Sequence, residues 1–273
     1  MSKERFLSAT AMILLTIAAV VNSWVFMIVQ LALTVGGLYE FFSLIKKKGI
    51  PIYSYMGIFI GILIPLSIFF RFELTKNWEL LFIVLALLLI FLLQFMRKEN
   101  TNAIVGISTT LFGVLYVSWF FSFLVKIRFL LPGIEGVNLL GFILLVTKSG
   151  DIGALLVGSR FGRHPLFPRI SPKKTVEGSL GSFIFSIFAA LLGQSLLPLG
   201  VHFPLWHVVF LGACFGGIGQ LGDLSESLIK RDCNVKDSGK FPPALGGILD
   251  SIDSVLFTAP TFYFYMSSVL RVM

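Results

Sequence analysis

Apolar runs of roughly the length that crosses a bilayer, about 20 residues, recur along this chain from one end to the other. Nothing constrains its folding more. Such runs at this spacing imply an all-α, polytopic membrane helix bundle, and nine candidate spans can be counted: Phe6–Val21, Trp24–Leu44, Tyr53–Phe70, Trp78–Met96, Ala103–Val125, Val137–Val157, Leu180–Leu199, Leu205–Leu221 and Ile248–Val269. The first two are parted only by Asn22-Ser23, and together they are too long for one crossing, so a tight helical hairpin is expected there. Hydrophobic residues make up 56% of the chain and charged ones 13%, about half the charged share of a soluble domain, and no polar stretch is long enough for a separate soluble domain. Lys3 and Arg5 before the apolar Phe6 run imitate a secretion signal. No small-x-small cleavage site follows, so a retained first helix is the expectation.

The net charge of +8 does not point to nucleic acid, because Lys and Arg sit almost wholly between the apolar runs. With nine spans, the side holding the N-terminus carries sixteen of them and the other side five, with Lys148 inside span six. By the bias of basic loops toward the cytoplasm, the N-terminus and its companion loops are cytoplasmic and the C-terminus lies outside. Lys46–Lys48, Arg97 and Lys98 are read as topology determinants of this kind. Cys214 and Cys233 have no metal or redox spacing and imply no disulfide framework, and His164, His202 and His207 have no zinc-ligand pattern and are read as incidental.

Charge at membrane depth is costly and marks function. The first five spans are nearly free of it, apart from Glu40, whereas the last four carry most of the acids. Two regions follow: residues 1–130, an accessory set of spans for lipid access or dimerisation, and residues 131–273, the catalytic part. GxxxG pairs at Gly57/Gly61 and Gly212/Gly216 stand for close helix packing or a homodimer face.

Helical spacing gives the acids a geometry. Asp250 and Asp253 share one face at the start of span nine, as do Asp223 and Glu226 at the end of span eight. Bringing those ends together gathers carboxylates at the cytoplasmic boundary, where a divalent cation relieves their repulsion. Mg2+ suits one or two carboxylates plus substrate phosphates. Beside them KRDCNVKDSGK supplies Lys230, Arg231, Lys236 and the further Lys240, and SPKKT supplies Lys173 and Lys174. Fixed cations beside metal-binding acids are what phosphoryl or nucleotidyl transfer requires. Ser171-Pro172 reads as a helix start, and Thr175 with Gly178 and Gly181 as backbone open to an anion. Plainer readings stand beside these: Asp250 as a helix-start acid, Lys148–Asp151 as a structural pair, Glu177 as a cap on its own helix, and Asp232 and Asp237 as local charge balance.

The stretch SLIKRDCNVKDSGKFPPALGGILDSID resembles the signature of the phosphatidate cytidylyltransferase (CDP-diacylglycerol synthase) family. The matching positions are Ser227, Lys230, Arg231, Lys236, Asp237, Gly246, Gly247, Asp250 and Asp253, preceded by Gly222-Asp223-Leu224. Upstream, Ser171-Pro172-x-Lys174-Thr175 and the acid Asp151 match as well. Four positions depart: Leu245 stands where the family has His, Ser251 where it has Arg, Pro242 where it has an aliphatic residue and Leu155 where it often has Tyr.

The resemblance implies a nucleotidyltransferase of the cell membrane that converts CTP and phosphatidate to CDP-diacylglycerol and pyrophosphate with Mg2+, the number of cations, one or two, left open. It assigns Asp223, Asp250 and Asp253 to the metal, and Lys230 to catalysis with them. It assigns Ser171, Lys174, Thr175, Ser227, Arg231, Lys236, Asp237, Gly246 and Gly247 to the substrates, with Asp151 nearby, and the charge pattern adds Lys173 to the substrate set and Glu226 beside the acids. The rivals are a CTP-dependent polyprenol or phytol kinase, which releases CDP, and an ion-coupled transporter, which buries acids at midplane in internal repeats absent here. A CDP-alcohol phosphotransferase is excluded by the lack of its D-G-x-x-A-R opening.

Overall fold

The computed structural model describes residues 16, 18–72, 78–98, 100–198, 200, 203–239 and 246–271. Most of the first expected span, Phe6–Val21, lies outside them, as do Lys240, Pro242 and Leu245. The chain forms two compact units, one of Met1–Val125 with Cys233–Ser251, the other of Lys126–Asp232 with Ile252–Met273.

In the first unit α1 spans Ser23–Lys47, α2 Ser54–Phe69, α3 Trp78–Phe95, and α4 runs Ala103–Arg128 through a π-helical stretch at Val114–Trp119. Asn22 breaks the chain before α1 and caps it, accepting hydrogen bonds from the Trp24 and Val25 amides, at the boundary expected between the first two spans. Phe41 and Phe42, each 1% exposed, fill the space between helices because glycine faces them. A Cβ at Gly113 would sit 2.7 Å from the Phe41 ring, and one at Gly57 2.5 Å from that of Phe42.

Pro65 inside α2 has no N–H for the Gly61 carbonyl one turn earlier. The Ser118 hydroxyl, in the π stretch, donates to that carbonyl at 2.6 Å. In an apolar surrounding an unpaired carbonyl costs several kcal/mol, about 2–7 for an amide, so proline and serine work as a pair.

In the second unit α5 spans Ile134–Phe161 and α6 Val176–Leu192, with a short antiparallel hairpin between them made of β1, Pro165–Phe167, and β2, Ser171–Thr175. α7 follows at Leu205–Asp232, and α8, Ile248–Arg271, contributes its residues from Ile252 on. Here helices meet backbone to backbone. A Cβ on Gly153 of α5 would lie 2.6 Å from the Gly181 carbonyl of α6, and one on Gly181 2.6 Å from that of Gly153. Gly212 does the same for α7 against the backbone of Ile187 and Ser186, and Gly216 packs on the Ser186 side chain and Phe183 Cα. Both GxxxG pairs are thus filled from within the chain, since Gly57 and Gly61 face Phe42 and Leu38.

Among the described residues five helices are long and apolar enough to cross a membrane, and α2 and α6 are shorter apolar helices. The protein is therefore an all-α, multi-pass membrane bundle. Eight of the expected runs map onto α1–α8. Three boundaries differ. SPKKT is a strand and not a helix start, because proline holds the residue before it extended; the helix begins four residues later with Thr175 as its cap. Span seven stops at Gly193. Span eight runs on to Asp232, so Asp223 and Glu226 are helical as their spacing implies, and Lys230 and Arg231, read as part of a basic loop, are helical too. No glycine or proline interrupts that stretch, and Asn234, in the left-handed region at φ 56°, turns the chain just beyond it.

Candidate active site

The site of the second unit is assembled from α5, the hairpin, α7 and α8. Thr175 accepts a hydrogen bond from the Gly178 amide at 3.1 Å, which starts α6. Glu177 reaches back instead of capping its own helix with Thr175. It accepts from the Arg163 amide at 3.0 Å and the His164 amide at 3.3 Å, and meets His164 Nδ1 at 2.5 Å. The Arg163 amide and then the His164 ring hold this carboxyl down at about 2. His164 is therefore not incidental; it ties the approach to the hairpin onto α6. From α7, Arg231 Nε donates to the Ile170 carbonyl in the hairpin turn at 3.1 Å.

The anchored strand places Lys174 Nζ 2.7 Å from Asp223 Oδ2 on α7. On α5, Lys148 Nζ lies 3.0 Å from Asp151 Oδ2 and donates to Ser254 Oγ of α8 at 3.0 Å, while Ser254 Oγ donates to Asp151 at 2.8 Å. Glu226, fully buried, meets Lys230 Nζ at 2.5 Å one turn along α7. Asp253, 6% exposed, accepts from the Ser254 amide at 2.6 Å and lies in the field of Asp223, Lys148, Asp151 and Glu226. α7 approaches it closely through Gly222, where a Cβ would come 3.1 Å from Ser254 Cα. Four carboxylates and three ammonium groups thus gather in one unit. Ser227 is buried beside them on α7, and Lys173 and Ser171 flank Lys174 on the strand, the first exposed and the second half-buried.

The remaining motif residues belong to the first unit. Lys236 and Asp237 are exposed there. Gly246 and Gly247 take φ of 86° and 154°, which side chains rarely adopt, in the turn that opens α8. Asp250 accepts from the Ser238 amide at 3.3 Å and its hydroxyl at 2.9 Å. Ser251, at the position of the family arginine, donates back to the Gly247 carbonyl at 2.9 Å.

Sequence reasoning did not single out Ser238 or Ser254, and it noted Glu40 and Lys148 without a role in the site. Glu40 carried a usable signal as the one acid deep in the early spans. Arg97, read as a topology residue, has specific partners: it donates to the Pro51 and Ile52 carbonyls at 3.2 and 3.3 Å, over the Tyr53 ring. His207 too has a partner, Tyr265, its Nε2 lying 2.5 Å from the hydroxyl.

No three His, Cys, Asp or Glu side chains converge as a metal site among the described residues. Mg2+ does not need three, since it keeps waters and takes substrate phosphates. Asp223, its side chain 41% exposed, with Asp253 in its field, offers the hard oxygen donors that fit such a partial site.

The Cytidylyltransferase family model matches residues 3–269. Phosphatidate cytidylyltransferase of Synechocystis sp. is 33% identical over 303 residues, covering 100% of this chain and 99% of that protein. Its counterpart from Bacillus subtilis is 30% identical over 266 residues, 97% of each chain. A third, from Staphylococcus epidermidis, is 36% identical over 163 residues, 60% of each. On the match along nearly its whole length, this chain belongs to the cytidylyltransferase family.

Proposed function

We propose that the chain transfers CMP from CTP to phosphatidate, giving CDP-diacylglycerol and pyrophosphate for phospholipid biosynthesis. The observation that carries this reading is the Lys174–Asp223 contact, which joins two separate motifs in one cluster of exchangeable charge. An oxygen of the phosphatidate phosphate attacks the α-phosphorus of CTP; that P–O bond forms as the bond to the β-phosphate bridging oxygen breaks, and pyrophosphate leaves. The nucleophile is already an anion, so no general base is required. What the protein supplies is position and charge.

Lys174 can pass from Asp223 to a phosphate oxygen by rotating its ammonium, a point charge on a flexible stem. Arg231 and Lys173 border the same strand, exposed toward an incoming triphosphate. Lys148, held by Asp151 and Ser254, and Lys230, held by Glu226, keep fixed positive charge beside it. Mg2+, when bound, supplies charge neutralisation on the phosphates. Asp223 and Asp253 would hold it, and Asp250, three positions earlier in α8, completes the proposed set.

The bias of Lys and Arg supports a cell-membrane protein with its motif segments facing the cytosol, where CTP is. A homodimer would need faces other than the two GxxxG pairs. Purified protein given phosphatidate, Mg2+ and CTP labelled at the α- or γ-phosphate tests the reaction. The α-label is expected in lipid and the γ-label in pyrophosphate. Appearance of the γ-label in lipid with release of CDP would instead make the chain a lipid kinase.

A further inference from the structure

In the first unit the turn that opens α8 cannot cap its own helix. The residue before Ile248 is Gly247, preceded by Gly246, and neither has a side chain to accept the first free amides. Those amides are met from far away in sequence. Glu40, on the last turns of α1 and 7% exposed, accepts from the Ile248 amide at 3.0 Å through Oε1 and from the Leu249 amide at 2.9 Å through Oε2. Its Oε2 also faces the Ser238 hydroxyl at 3.0 Å, the same hydroxyl that stands 2.9 Å from Asp250 Oδ2.

The fit leaves no slack around this carboxylate. A Cβ at Gly247 would lie 2.8 Å from Glu40 Oε2, and one at Gly239 2.5 Å from Glu40 Cδ. Gly239 N also donates to the Gly246 carbonyl at 3.1 Å, closing the two arms of the segment on one another. A buried carboxylate at a helix N-terminus gains from the dipole as well as from the amides. Leucine or alanine at position 40 would take the side-chain acceptor from one buried and one part-buried amide.

We infer that Glu40 is a positioning residue for cytidylyl transfer: from α1 it fixes the Gly246–Gly247 turn and, through Ser238, the carboxylate of Asp250. This rests on the transferase reading above, in which Asp250 serves the phosphates. Glu40 then gives the early spans a task of their own, beyond lipid access.

The test uses the full-length protein in nanodiscs. Glu40→Gln keeps the shape but turns an amide NH2 toward amide donors. Loss of such a supporting partner typically costs 10–100-fold in activity or metal affinity. The expected result is a kcat lowered by about that factor, a KM for CTP within about twofold of wild type, and faster hydrogen exchange at Ile248 and Leu249. Glu40→Asp, which keeps the charge, should fall between. Wild-type kcat in Glu40→Gln, or unchanged exchange at those two amides, would overturn the proposal. If Glu40→Gln does not insert, Ser238→Ala decides: it removes the hydroxyl between Glu40 and Asp250 and leaves the helix cap, so kcat must fall with KM unmoved, and an unchanged kcat would again overturn the proposal. A wild-type protein that makes no lipid-linked cytidine would refute the transferase reading instead, and the exchange readout would still decide whether Glu40 holds the turn.

Discussion

In the first unit Glu40 is held by neutral donors, two backbone amides and a hydroxyl it shares with Asp250, whereas in the second Asp223, Asp151 and Glu226 each meet a lysine. Neutral backbone donors cannot leave; they fix a geometry. An ammonium group can exchange a carboxylate for a phosphate at little cost, because both are hard oxygen anions. The contrast divides the labour: one set of acids holds a turn, and the other keeps cations in place until a triphosphate needs them.

The largest test of that division is Asp223→Asn, for which a loss of at least about 100-fold in cytidylyl transfer is expected, the size seen when one preorganised charge partner is removed. Asp253→Asn and Asp250→Asn should lose turnover while still inserting and folding. Near-normal activity in Asp250→Asn would take Asp250 out of the metal set and leave it purely in the turn.

Next in size is Lys230→Met, which removes the ammonium group that faces the fully buried Glu226. Breaking a buried pair on one side costs about 3–5 kcal/mol, and removing both partners restores most of it. Unfolding of Lys230→Met and of Lys230→Met with Glu226→Gln in detergent should show that recovery. A double variant as unstable as the single one would mean that the pair does more than balance charge.

Packing sharpens the comparison further. Gly153→Ala drives a methyl into the Gly181 carbonyl of a neighbouring backbone and should cost about 1–3 kcal/mol. Gly57→Ala meets the far edge of the Phe42 ring and the Thr110 methyl, both side-chain atoms, and should cost less, and Gly200→Ala, with nothing among the described residues within 4 Å, should be neutral. An equal cost at Gly57 and Gly153 would erase the distinction between ring-filled and backbone-to-backbone helix contacts.

The smallest effect concerns pH. The Glu177 carboxyl titrates at about 2 in the folded protein, below an unfolded value near ~4.3. Its contribution is therefore present above that unfolded value and is lost as pH falls toward 2. Amide exchange at Arg163 and His164 should show protection at pH 6 that disappears near pH 2, and Glu177→Gln should lack the difference.

Much of this was legible in the sequence for a physical reason: apolar length declares a span, and charge at membrane depth declares a site. Asp223 and Asp253 were readable as one group because helical spacing places them at neighbouring span ends, and Lys174 joined them through the family resemblance of SPKKT. SPKKT was misread because Ser-Pro marks both helix starts and extended strands, and only its pairing with Pro165–Phe167 separates them. The helical course of α7 through Arg231 was hidden because charge was taken to mean loop, although a Glu226–Lys230 pair one turn apart is itself a helix signal. Glu40 was visible as an isolated acid, but its partners lie about two hundred residues away, and no local pattern announces them.

The account stands most directly on the Lys174–Asp223 contact as exchangeable charge, so the decisive measurement is the charge swap Lys174→Asp with Asp223→Lys. Turnover of α-labelled CTP into lipid is measured alongside the thermal midpoint. The account predicts a folded protein, its ion pair restored in reverse, that makes no lipid-linked cytidine. Wild-type turnover in the swapped protein would contradict it and make the pair a structural tie.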